Sequence, residues 1–278
     1  MSDADVFDST ALDTAMKGHS RLVVILGDSQ TVKDSARKLR NLVRIVRVAR
    51  GVLLIHGQIG KDQSILQDLP VISFQKAREI PSASDRGEEA TSRRVYAVVS
   101  YRFKSPTAIQ KKRVERLVRR SVSIRLRPGV LLFPVLRSKD RRRLFESDQT
   151  DKFLDSKKAS EELRSLGADV SRWSRLRLVE HQSEVKDALT RTLLQDITSF
   201  EELVKDLRAR AKDSEAQDKT LKKRYSTLSR RYRKMKMKWS LASKIWHYDA
   251  TKMLTRSYNM LIAARRIIES SIGNSRER

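Results

Sequence analysis

The sequence contains no cysteine in 278 residues. That excludes disulfides and thiolate chemistry and is otherwise neutral. No segment approaches the roughly 18 apolar residues of a membrane-spanning helix. The amino-terminal stretch MSDADVFDSTALD is acidic and polar, without the basic start and apolar run of a secretory signal, so an intracellular, cytoplasmic location is expected. The four histidines, His19, His56, His181 and His247, fall at no metal-like spacing. There is no catalytic triad, no phosphate-cradling glycine loop and no cluster of metal ligands, so neither a metal, a cofactor nor an enzymatic activity is expected. Acids are scarce where bases gather: Arg94–Arg143 holds sixteen Lys or Arg against Glu115 and Asp140 alone.

The excess of base is large. A third of the residues are charged, the formal net charge is +26 and the pI is near 10.6. Self-repulsion on that scale favours a polyanionic partner, nucleic acid ahead of an anionic membrane surface.

One pattern occurs twice. VRVARGVLLIH at 46–56 reads like IRLRPGVLLFP at 124–134. Superposing Gly51 on Gly129 places Arg47 on Arg125, Val52 to Ile55 on Val130 to Phe133, and Ala36 and Leu39 on Val114 and Leu117. One register through two elements indicates an internal repeat. In the first copy, 21–27 reads as a strand and 31–43 as a helix. A hairpin follows around Arg50-Gly51, then a short helix near 61–69 and a strand at 70–75. In the second, the strand is 95–103 and the helix 107–120. The hairpin 122–135 turns at Pro128-Gly129. Helical and looped sequence from 139 to 166 leads to a strand at 174–180.

The expected fold is α+β. Two ferredoxin-like β-α-β-β-α-β repeats, 21–80 and 94–182, are joined by a linker at 81–93. Their central strands are apolar on both faces, so cover is needed on both. Helices supply one side; the sister repeat, sheet against sheet, would supply the other, making an intrachain pseudo-dimer. The second strand of each repeat falls at a sheet edge, where charge discourages pairing between molecules. Arg125 and Arg127 are accordingly expected along the rim. Residues 1–20 form an acidic leader, expected to be disordered.

The second repeat resembles the N-terminal domain of chromate-resistance regulators. The resemblance lies in Tyr101-Arg102 at a strand end, Ser105-Pro106 before a helix, the basic helix Lys111 to Arg120, and Phe133-Pro134 closing the hairpin. More distantly it is similar to the small ferredoxin-like subunit of CRISPR adaptation complexes. It covers about residues 90–180. RRSVSIRL lacks the glycine those families often carry at this junction, and the C-terminal third has no counterpart. The resemblance implies duplex-DNA binding and pairing through facing sheets. It also implies a nuclease alternative, because the CRISPR relatives hold a metal on an Asp near the end of strand one. Asp28 occupies that place in the first repeat, against Ser100, Tyr101 and Arg102 in the second. Two-metal chemistry needs converging carboxylates, so Asp28 reads better as a helix cap.

The C-terminal third has neither proline nor glycine from about 184 to 270. Apolar residues recur at three and four from Leu189 to Ala211 and from Leu221 to Ile268. Such spacing predicts a long α-helical coiled-coil arm over 183–272, with a tail at 273–278. A polar break falls at 212–218. The second helix would be about 75–80 Å long, and its overhang beyond the first, with Trp246 and Tyr258, would need a partner: a second subunit or the repeat domain. Residues 219–238 carry ten Lys or Arg and no acid.

The candidate phosphate contacts are Arg102, Lys104, Lys111, Lys112, Arg113, Arg116, Arg119, Arg120, Arg125 and Arg127 in the second repeat. In the arm they are Lys222, Lys223, Arg224, Arg230, Arg231, Arg233, Lys234, Lys236 and Lys238. Such contacts bind the backbone without reading sequence. Together these features point to a non-enzymatic DNA-binding protein, a transcriptional regulator or chromosome-organising factor, nucleoid-associated, self-associating through its arm. Alternatives are an RNA-binding ribonucleoprotein component, a scaffold docking an acidic partner, and the nuclease centred on Asp28. A basic amphipathic helix can also lie on anionic membranes.

Overall fold

The computed structural model describes residues 20–56, 66, 68–80, 94–140, 154–180, 182–212, 218–246 and 248–276. The leader, most of the helix expected near 61–69, the 81–93 linker and part of 139–166 lie outside them. The chain divides into two compact units. One runs through Leu189 and takes in Ile245–His247; the other is Thr190–Lys244 with Tyr248–Arg278. Among the described residues, no helix is long and apolar enough to cross a membrane.

The first unit is α+β. Its strands are β1 (Arg21–Ile25), β2 (Ile45–Ala49), β3 (Val52–Ile55), β4 (Val71–Lys76), β5 (Val95–Arg102), β6 (Ile124–Arg127), β7 (Val130–Val135) and β8 (Asp169–Glu180). Helix α1 (Ser29–Leu42) follows β1, α2 (Ala108–Arg119) follows β5 and α3 (Ser156–Ser165) precedes β8. All eight strands form one antiparallel sheet in the order β2-β3-β1-β4-β8-β5-β7-β6. Each four-strand half therefore runs second, third, first, fourth, and the two second strands are the sheet's edges.

The two hairpins share a register. In the first, Val46 pairs with Leu54, Arg47 with Leu53 and Ala49 with Val52. In the second, Ile124 pairs with Leu132, Arg125 with Leu131 and Arg127 with Val130. Under the Gly51-on-Gly129 superposition these are the same pairs, with the bulge at the same step. Both turns need positive φ, +72° at Gly51 and +82° at Gly129, which glycine adopts without steric cost.

Helices cover one face of each half. Val23, Ile25, Leu53, Ile55 and Val71 pack with Val32 and Leu39 of α1. Ala97, Val99, Leu131, Phe133 and Val170 pack with Val114 and Leu117 of α2 and Leu163 of α3. Burying each such side chain stabilises by roughly 1.5–3 kcal/mol. The opposite face is buried as well: Leu22, Val24, Leu54, Ile72 and Phe74 in one half, Tyr96, Val98, Ile124 and Leu132 in the other.

The sheet meets that need by curling. In a flat sheet β1 and β6 would lie about 24 Å apart at about 4.8 Å per strand. Yet Arg127 Nη1 on β6 donates to Ile25 O on β1 at 3.0 Å. Phe74 of β4 meets Tyr96 of β5 edge-on, ring centroids 6.3 Å apart. The expected pair of separate sheets is thus corrected to one continuous sheet. The 12-residue β8 is the reason. It is long enough to pair with β5 over Asp169–Arg177 and with β4 over Leu176–Glu180.

The second unit is helical, built from α4 (Gln182–Lys212) beyond Leu189, α5 (Asp218–Trp246) up to Lys244, and α6 (Thr251–Arg276). Here the single 75–80 Å helix is corrected. It stops at Trp246, and α6 begins at Thr251, whose N–H donates to Asp249 Oδ1 at 2.8 Å. The chain then folds back. Tyr232 Oη donates to Leu254 O at 3.0 Å, and the Tyr232 and Tyr258 rings lie 5.3 Å apart. Helix α6 also meets α4, through Arg256 and Ser257 on Glu201. The overhanging seam thus finds its cover within the chain. Trp246 itself belongs to the first unit, where Arg94 Nε donates to the neighbouring Ile245 O at 3.2 Å.

Candidate nucleic-acid interface

Helix α2 is fixed at its start by a reciprocal cap. Gln110 N donates to Thr107 Oγ1 at 3.2 Å, and Thr107 N donates to Gln110 Oε1 at 2.9 Å. Gln110 Nε2 also donates to Leu166 O at 2.8 Å, tying the helix to the turn after α3. Val114, Leu117 and Val118 face the core, which turns Lys112 and Arg116 outward with Lys111 and Arg113 on the flanks. These four are exposed and meet no carboxylate among the described residues. Arg102 at the end of β5 and Lys104 beyond it are exposed and share that condition.

Other candidates in this unit are engaged. Arg119 lies 3.9 Å from Glu115 and Arg120 3.2 Å from Glu162, both on the surface. Exposed pairs of this kind contribute little and leave the cation available. Arg125 is half-buried. Arg127 is 7% exposed, contrary to the rim placement. It follows the bulge, which turns it toward Ile25 O and over Gly51. Burial, with Arg50 beside it, holds its pKa below the usual arginine value.

On α5 the cations divide by helical phase. Arg224, Arg231 and Lys238 recur every seven residues and face α4. Arg224 pairs with Asp206 at 3.3 Å, Arg231 donates to Ser199 Oγ at 2.9 Å and Lys238 pairs with Asp196 at 2.8 Å. Lys238 is buried and is withdrawn as a phosphate contact. Lys222, Lys223, Arg230, Arg233, Lys234 and Lys236 are exposed on the other side, across about 160° of the helix at about 100° per residue. They meet no carboxylate among the described residues.

Sequence reasoning missed a third set. Lys33, Arg37, Lys38 and Arg40 of α1 are exposed and likewise without a carboxylate among the described residues. The repeat held the signal, because superposing the copies sets Lys33 on Lys111 and Lys38 on Arg116.

Asp28 is the N-cap of α1. Its Oδ1 accepts from Thr31 N at 2.8 Å and from Thr31 Oγ1 at 2.7 Å. These bonds hold its pKa below the ordinary aspartate value. Among the described residues, no three His, Asp or Glu side chains lie together as metal ligands would.

The arrangement places exposed cations on ordered helices α1, α2 and α5. Comparison with known protein families, with curated proteins and with solved structures found no match.

Proposed function

We propose that the chain binds duplex DNA through backbone phosphates and acts by binding rather than catalysis, as a transcriptional regulator or chromosome-organising factor. The observation that carries this reading is the division of the α5 cations. Those facing α4 have internal partners, while Lys222, Lys223, Arg230, Arg233, Lys234 and Lys236 stand exposed without carboxylates among the described residues. Like charges four apart, such as Arg230 and Lys234, destabilise a helix by about 0.2–0.5 kcal/mol per pair. A polyphosphate relieves that repulsion. The exposed face of α2 has the same character.

The four-strand halves are read as ferredoxin-like repeats. Support comes from their shared strand order, their shared hairpin register and the helix between first and second strands in each. Ferredoxin-like sheets that bind RNA stack bases on exposed rings. Phe74, Tyr96, Phe133 and Trp173 are buried here, which favours duplex DNA over single-stranded RNA.

The test is fluorescence anisotropy with duplex DNA, single-stranded DNA and RNA across a salt series. K222E/K223E/R230E/K234E should weaken duplex binding at low salt by about tenfold or more with helicity retained. Unchanged affinity would remove α5 from the interface. Preferential capture by single-stranded RNA would favour the ribonucleoprotein alternative.

A further inference from the structure

Helices α5 and α6 do not close against each other along their whole length. Between them lies a groove of about 840 Å³. That volume falls in the range of small-molecule sites, roughly 300–1,000 Å³. Its apolar wall includes Trp239, Leu254, Leu261 and Ile262. Arg233 and Lys236, one helical turn apart on α5, also line it. Among the described residues, no acidic side chain does.

Two further observations bear on what it holds. Trp239 is 1% exposed, and its indole N–H meets no acceptor among the described residues. That nitrogen is enclosed, so Trp239 offers the groove an apolar contact. Arg265, the third cation of the lining, is already paired with Glu269 at 2.7 Å. Arg233 and Lys236 have no such partner among the described residues. The charge asymmetry therefore sits on the α5 side of an otherwise apolar cleft.

We propose that this groove is a binding site for a small organic acid. The apolar chain or ring of the ligand lies against Trp239, Leu254 and Leu261, and its carboxylate is held by Arg233 and Lys236. The guanidinium can grip a carboxylate through two parallel N–H bonds, and the ammonium adds a point charge. Arg233 and Lys236 belong also to the exposed α5 face proposed to meet phosphates, but Lys222, Lys223, Arg230 and Lys234 do not line the groove, so K222E/K223E/R230E/K234E tests DNA binding without altering it.

Isothermal titration of the full chain tests this with three probes of one chain length: laurate, dodecanol and dodecylammonium, each below its micelle concentration. Laurate should saturate a single site and bind about tenfold or more tighter than dodecanol, a difference of about 1.4 kcal/mol. Dodecylammonium should not bind. R233E/K236E should weaken laurate about tenfold or more, leaving dodecanol unchanged. Thr255 is exposed and lines the groove. T255W therefore fills the groove from its solvent side without entering the core, and should abolish laurate binding with helicity unchanged. Equal binding of laurate and dodecanol, wild-type laurate affinity in either variant, or no saturation by laurate up to about 1 mM, an affinity of about −4 kcal/mol, would overturn the proposal. Saturable binding of an acidic helical peptide, lost in T255W, with no laurate binding, would assign the groove to a protein instead.

Discussion

Arg127 on β6 donates to Ile25 O on β1 at 3.0 Å, joining the last strand in the sheet's order to the third. The same guanidinium lies where a Cβ on Gly51 would fall. A hydrogen bond from a charged donor contributes about 1.5–3 kcal/mol. Arg127→Met should cost about that much in urea denaturation. Gly51→Ala should cost more in the wild type than in an Arg127→Ala background, where only the positive-φ penalty of about 1–3 kcal/mol remains. Equal costs in the two backgrounds would show that the guanidinium does not press on the turn.

Lys238 and Asp196 form a buried pair, with side chains 3% and 13% exposed. Removing one partner of such a pair costs about 3–5 kcal/mol, whereas replacing both by apolar groups is often near neutral. K238M should therefore lower stability sharply, and K238M/D196L should recover most of the loss. Equilibrium unfolding followed by circular dichroism reads both.

The exposed face of α2 predicts a change in salt dependence. Each lost phosphate contact lowers the slope of log affinity against log salt by about 0.9. K111Q/K112Q/R116Q should reduce the slope for duplex DNA by about two to three. R127M should leave it unchanged. A slope shift on R127M equal to that of the α2 variant would place the contact elsewhere.

Asp28→Ala should lower the melting temperature at neutral pH by removing the α1 cap. The cap's pKa is depressed in the folded state by the Thr31 bonds. Its contribution is complete above the unfolded aspartate value of about 3.9 and fades as pH falls through the folded value. The difference between wild type and variant should then vanish in acid. Metal-dependent DNA cleavage by the wild type, lost in Asp28→Ala, would instead restore the nuclease alternative.

Much of the first unit could be read from its residues. Pro128-Gly129 and Arg50-Gly51 fixed the turns, and the order of elements in each repeat placed β2 and β6 at the edges. What side-chain pattern does not carry is backbone pairing between β4 and β8, since any edge strand presents the same N–H and C=O groups. The stop at Trp246 was hidden for a different reason. HYDA contains no proline or glycine, and only Asp249 before Thr251 carries the chemistry of a helix start. Among the cations, exposure could not be separated from engagement. Lys238 meets a partner 42 positions away, and nothing local distinguishes it from Lys236. The seven-residue spacing of Arg224, Arg231 and Lys238 was the available clue.

The ladder between β4 and β8 makes the two halves thermodynamic hostages of each other. Four cross-strand residue pairs link them, from Ser73 with Glu180 to Lys76 with Leu176. Neither half can melt without stripping an edge from its neighbour. Two lobes with the same strand order would then lose their structure in a single step, although each has its own helix-covered core.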